Sequence, residues 1–249
     1  MSTVPSKAGE IFDILRSEVL RGQYREGERL PSERDLAARF ETNRGAVREV
    51  IKKLEQLGIV SVTPGGVRVQ PVEEASVEVL GHLLELGEIP RPDLITQMLD
   101  VLGAMMSVSV RTAVENASDD DIDDLSKLTE KLINSLDTPD VHHESWRELG
   151  EKMMDIHQNL VLRLVGNGVR TQFLGIAMEP DFEPNIDLNE VASNLTAVRD
   201  AISSKDAWAA STAMTIHFKF LKERLQVAAS QLQPETLPPA QSARSATHG

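Results

Sequence analysis

The stretch Leu30-Pro31-Ser32-Glu33-Arg34-Asp35-Leu36-Ala37-Ala38-Arg39-Phe40, then Glu41-Thr42-Asn43, then Arg44-Gly45-Ala46-Val47-Arg48-Glu49-Val50-Ile51-Lys52-Lys53-Leu54, decides how the first part of this chain folds. Ser32 is a natural helix cap, and an acidic residue three positions on, Asp35, completes a capping box. Leu36 and Phe40 give that short helix its apolar face. After the break at 41–43 a longer helix runs to about Leu57. Val47, Val50, Ile51, Leu54 and Leu57 recur on it at three- and four-residue spacing as a buried stripe. Gly58 ends it. A helix, a short turn and a second helix form the arrangement that lays the second helix in the major groove of DNA.

The flanks extend this unit. Residues 6–22 read as an amphipathic helix through Ile11, Ile14, Leu15, Val19 and Leu20. On the other side, 59–63 and 67–69 are β-branched runs around Pro64-Gly65-Gly66, which is a hairpin signal. Residues 1–70 are therefore expected to form a winged helix-turn-helix of three helices plus a β-hairpin, and 71–76 a linker. From Val77 the pattern is helical throughout, predicting an all-α bundle over 77–230. Its helices are expected at 76–87, 92–116, 118–136, 143–166, 168–177, 187–204 and 206–231, with a loop carrying Pro180 and Pro184. Residues 231–249 are rich in Pro, Ser, Gln and Ala and read as a disordered tail. The fold class is mainly α.

Composition narrows the function. The 249 residues include no cysteine, which excludes disulfide scaffolds, thiolate metal sites and cysteine catalysis. Aromatics are 4%, so the core is aliphatic, helped by eight Met. The N-terminus is polar and contains Pro5, unlike a signal peptide. No apolar run is read as a membrane span, so a cytoplasmic protein is expected. The formal charge of −13 argues against a nucleic-acid partner until it is divided. Residues 1–72 hold 12 Lys and Arg against 10 Asp and Glu, and the remainder 14 against 29. The acidity belongs to the helical part.

On the second helix, Arg44, Arg48 and Lys52 are four residues apart and share the face opposite the apolar stripe. Asn43 and Arg44 stand at its N-terminal end, where base edges are reached. Arginine pairs well with guanine O6 and N7. Arg34, early in the preceding helix, is placed for backbone or base. The glycines at the hairpin tip allow close approach to DNA, or merely join two strands.

The three blocks 30–37, Asn43-Arg44-Gly45-Ala46-Val47-Arg48-Glu49 and Leu54-Glu55-Gln56-Leu57-Gly58-Ile59-Val60 resemble the winged helix of GntR-type bacterial transcription regulators. The resemblance covers residues 6–70. It implies that Arg34, Asn43, Arg44, Gly45, Arg48 and the wing glycine Gly65 contact a short palindromic operator in double-stranded DNA. A palindrome implies a homodimer.

Residues 77–230 resemble the helical effector domain of the FadR subfamily, through Asp93-Leu94 to Arg111-Thr112-Ala113, through His157-Gln158-Asn159-Leu160 with Gly166-Asn167, and through Ala201-Ile202 with Asp206 and His217. The resemblance implies a small-molecule effector. It also implies a metal held by an Asp, a His one helical turn later, and two further His. Here His157 and His217 match two imidazoles, while Met153 and Leu195 stand at the other two ligand positions. Asp155 faces the other way from His157. A metal at His157 and His217 is therefore not expected, and no cofactor is assigned. Leu102, Met105, Met106, Met153 and Leu195 instead make the candidate pocket apolar and adaptable. With His157 and His217 they point to an apolar, fatty acyl-CoA-like effector. The same side chains also suit a core that binds nothing. No nucleophile–base pair or phosphate loop is present, so an enzyme is not expected.

Overall fold

The computed structural model of the chain describes residues 6–86, 91–177 and 186–231. The expected loop around Pro180 and Pro184, and the expected tail from residue 232 on, lie outside the described residues. The described chain is mainly helical. It runs α1 (Lys7–Leu20), α2 (Glu33–Arg39), α3 (Arg44–Gln56), β1 (Val60–Thr63), β2 (Gly66–Val69), α4 (Leu80–Leu86), α5 (Arg91–Asn116), α6 (Asp119–Ile133), α7 (Pro139–His157), α8 (Leu160–Ala177), α9 (Leu188–Ser203) and α10 (Ala207–Gln231).

Side-chain caps set several helix starts. Ser6, Ser32, Asn43, Ser118 and Asp187 each accept a hydrogen bond from a backbone N–H of the first turn. Such a cap is worth about 1 kcal/mol. At Ser118 the capping box is complete, with the Ser118 N–H donating to the Asp121 carboxylate.

The N-terminal unit closes around the α3 stripe. Val47, Val50, Ile51 and Leu54 are buried against Ile11, Leu15 and Val19 of α1, Leu36 and Ala37 of α2, and Ile59, Val60 and Val69 of the hairpin. Strands β1 and β2 are antiparallel, in register from Val60↔Val69 to Thr63↔Gly66. Buried Glu18 of α1 takes both terminal nitrogens of Arg39 on α2, fixing the angle between those helices. The same core runs on into Val79, Leu83, Leu94 and Met98. The expected linker is docked: Gln70 N–H donates to Ile59 O at 3.0 Å, and Ser76 N–H to Leu57 O at 2.8 Å.

In the helical domain α5 and α10 pack along each other, α9 lies on α10 and α6, and α7 on α5 and α6. The α5–α10 pair is close because Gly103 has no side chain: a Cβ there would sit 2.7 Å from the Phe218 Cβ. By length and composition Asp93–Asn116 passes for a membrane-spanning helix, contrary to the sequence reading, but half of it is buried within the fold.

The helix boundaries between residues 139 and 177 differ from the sequence pattern: α7 starts at Pro139, and α8 runs without a break through residue 167, where two helices were expected to meet. The apolar periodicity predicts a single helix over 143–166, whereas the chain breaks after His157. Gln158 adopts a left-handed conformation (φ 50°), and Asn159 then caps α8 by accepting from Leu162 N–H at 3.0 Å. The left-handed residue is a glutamine, neither a glycine nor an asparagine, so the usual stop signal is missing at that position.

Candidate functional site

The face of α3 away from its apolar stripe is the first candidate site. Arg44 and Arg48 are exposed on it. Arg44, at the first turn, makes no ion pair and no side-chain hydrogen bond among the described residues, so its full set of donors faces solvent. Arg48 differs. Its Nε donates to both carboxylate oxygens of Glu33, at 2.8 and 3.0 Å, which leaves the outer edge of the guanidinium free. This positions Arg48 across the gap between α2 and α3. Sequence reasoning missed Glu33: it lies inside the quoted block, but no spacing rule links two residues fifteen positions apart across a turn.

Asn43 is the N-cap of α3, and its Oδ1 accepts from Ala46 N–H at 2.9 Å. Its Nδ2 remains as a donor. A Cβ on Gly45 would stand 3.0 Å from that Oδ1, so the glycine makes room for the cap. Arg34 is exposed, with Nε 3.4 Å from Asp35 Oδ1. Asp35 in turn is held below the ordinary carboxylate range, first by the Ser32 hydroxyl and then by Arg34. Gly65 at the hairpin tip meets only ordinary contacts at 3.5 Å or more, so nothing in the fold requires it to lack a side chain. Gly66 is the constrained tip residue, with φ 113°.

The second candidate site lies in the helical domain. Met153 and Leu195 are fully buried in one aliphatic cluster with Val110, Leu149, Ile202 and Met214, and Met106 packs against it. His217 on α10 is 1% exposed, and neither of its ring nitrogens has a hydrogen-bond partner among the described residues. Its ring sits beside Trp146, with centroids 5.6 Å apart. Burial, reinforced by nearby His142, pushes the His217 imidazole down to a pKa of about 4. It is therefore neutral at ordinary pH, with one N–H donor and one acceptor nitrogen both unsatisfied, an arrangement that costs free energy unless something occupies it.

His157 is differently placed. Its Nδ1 accepts from Asn159 N–H at 3.0 Å, which puts the proton of the neutral ring on Nε2, 3.1 Å from Ser109 Oγ on α5. Burial lowers its pKa as well. Leu102 is half-buried on α5 and is not part of the cluster holding Met153 and Leu195. The candidate residues thus divide: Met106, Met153 and Leu195 belong to one aliphatic cluster, His217 packs on Trp146 and Phe218, which lie against that cluster, His157 is committed to its own hydrogen bonds, and Leu102 lies apart. Among the described residues no group of three or more His, Asp or Glu converges as a metal-ligand set. The donor set does not fit the metal centre that the resemblance implies. Asp155 is engaged elsewhere, in an ion pair with Arg163 at 2.8 Å.

Known bacterial regulators match both parts of the chain. The model for "Bacterial regulatory proteins, gntR family" matches residues 7–69, and that for the FCD domain matches 97–220. The repressor NanR of Citrobacter rodentium is 29% identical over 213 residues, covering 83% of this chain and 80% of NanR. The regulator Mce2R of Mycobacterium tuberculosis is 30% identical over 170 residues, covering 66% of this chain and 69% of Mce2R. Among solved structures, that of Lar, which controls expression of the Listeria monocytogenes agr system, superposes with a TM-score of 0.55 at 13% identity. It covers 93% of this chain and 100% of that one.

Proposed function

Because the chain belongs to the GntR family of bacterial regulatory proteins, with an FCD domain behind its winged helix, we propose that it binds a short palindromic operator as a homodimer and lets go when a mostly apolar small molecule enters the helical domain. It is a ligand-responsive transcription regulator and not an enzyme. The observation that carries the DNA half is α3: a capped, rigid helix presenting Arg44 unpaired and Arg48 aligned. Arg44, Arg48 and Asn43 read base edges, while Arg34 and the tip at Gly65 meet the backbone. The protein acts in the cytoplasm, where a bacterial chromosome lies, and represses, as the name of NanR says of that relative.

The homodimer has a surface to form on. Leu160, Val161, Leu164 and Val165 stand exposed on one side of α8, from 49% to 70%. A row of four aliphatic side chains facing water is the sort of patch that a second subunit covers.

The effector half rests on His217. A neutral imidazole with no hydrogen-bond partner among the described residues, set beside Trp146 and Phe218, which pack against the aliphatic cluster of Met153 and Leu195, favours a ligand that brings an apolar chain with an uncharged polar group next to it, as the acyl chain and thioester of a fatty acyl-CoA do. The interior is closed around Met153 and Leu195, so binding selects an opened conformer and shifts the dimer toward a geometry that no longer spans both half-sites. The reading is tested by selecting binding sites for the full-length chain from a random duplex pool, then adding fatty acyl-CoAs, fatty acids and dicarboxylates to the selected complex. Enrichment of an inverted repeat and release by an acyl-CoA are expected. No enrichment refutes the DNA half. Release by dicarboxylates alone refutes the apolar effector, and release by none of the panel leaves a regulator without this kind of ligand.

A further inference from the structure

The hairpin that should touch DNA is poor in charge. Its ten residues from Val60 to Val69 contain one cation, Arg68, and the Arg68 Nη1 is spent on the Gly27 carbonyl at 2.6 Å. The positive group at the tip comes from outside the hairpin. Residues 27–30 run antiparallel beside β2: Gly27 N–H donates to Val69 O, Val69 N–H to Glu28 O and Leu30 N–H to Val67 O, each at 3.0 Å, with Arg29 opposite Arg68. The hairpin is in effect a three-stranded wing whose third member precedes α2.

From that position the Arg29 side chain lies across the tip. A Cβ built on Gly66 would stand 2.9 Å from Arg29 Nη2 and 3.1 Å from its Nε, and one on Gly65 would be 3.9 Å from Nη2. The guanidinium fills the space that a side chain at 66 would take. Gly66 also holds a φ of 113° that other residues rarely adopt. Arg29 is exposed and, among the described residues, has no carboxylate or other hydrogen-bond partner, unlike Arg34, Arg39, Arg48 and Arg68. A planar guanidinium held against a side-chain-free turn, with its donors unspent, suits bidentate contact with a phosphate.

We infer that Arg29 is the wing's DNA contact: its guanidinium, seated on Gly66, binds a backbone phosphate beside the hairpin tip, and so contributes affinity without sequence preference. This rests on the DNA-binding reading above. The bland alternative is a solvated surface arginine with no role.

The test uses the full chain with Arg29→Gln, which keeps most of the stem and removes the charge, Arg29→Lys, which keeps the charge, and Arg44→Ala as control. Binding to the operator and to a random duplex is measured across salt concentrations, with thermal melts confirming the fold. Arg29→Gln is expected to lower the slope of log affinity against log salt by about one per protomer. It should weaken operator and random duplex alike, by about three- to tenfold at moderate salt. Arg29→Lys should retain the slope. An unchanged slope in Arg29→Gln, while Arg44→Ala weakens the operator complex, overturns the role of Arg29 alone. A loss confined to one operator sequence overturns it too, because a phosphate contact reads no sequence. If Arg44→Ala also leaves operator binding unchanged, the DNA interface itself is misplaced.

Discussion

The exposed face of α3 and the interior beside α10, the two sites proposed for DNA and effector, are built in opposite ways. On α3 the scaffold is complete before DNA arrives: Asn43 caps the helix, Glu33 aligns Arg48, and Arg44 is solvated at no cost. Around His217 two ring nitrogens are buried without a hydrogen-bond partner among the described residues. A surface site stays ready because water satisfies it in the meantime. A buried ring nitrogen is cut off from bulk water, so leaving it unpaired costs free energy. One region presents its polar groups to solvent and the other encloses them.

The contrast is first broken or sharpened in the aliphatic cluster. Leu195 is fully buried, so Leu195→Ala should cost about 2–5 kcal/mol in unfolding free energy if the region is ordinary close-packed core. A cost well below that range in denaturant titration marks a region able to collapse or open, as an effector pocket must.

The next effect is pH-dependent. Folding favours the neutral His217 ring, so between about pH 6.5 and 4 the folded state binds fewer protons than the unfolded chain. This part of the stability is whole above pH 6.5 and is lost as pH falls toward 4, on the order of 3 kcal/mol in total. His217→Leu should remove most of that slope from melts recorded between pH 7 and 4.5. An unchanged slope means that the ring is not held neutral in the folded protein.

A smaller effect tests the α3 side. Glu33→Gln removes a negative charge near the DNA and the acceptor that aligns Arg48. Binding to random duplex should rise about two- to fourfold, by loss of repulsion. The operator-to-random ratio should fall, because Arg48 is no longer aimed. If the ratio holds while both affinities rise, Glu33 acts only as a charge.

Much of this was legible in the sequence, and unevenly so. The α3 stripe, the cap at Ser32 and the Pro64-Gly65-Gly66 hairpin follow from local spacing, and local spacing is what sequence displays. The break at Gln158 was hidden because the apolar period runs through it and the left-handed residue is neither Gly nor Asn. The pairing of residues 27–30 with β2, and of Glu33 with Arg48, depend on chain segments meeting in space. Resemblance placed Met153, His157, Leu195 and His217 at related positions but could not say that His157 is tied to Ser109 while His217 has no hydrogen-bond partner among the described residues.

The central claim is that α3 reads DNA through an arginine left free for the purpose. It is tested most directly by titrating the operator duplex and a random duplex with wild type and Arg44→Ala at one fixed salt concentration. Loss of about 1–3 kcal/mol in operator binding, with random-duplex binding falling far less, is the expected result. Operator affinity equal to that of wild type would contradict it.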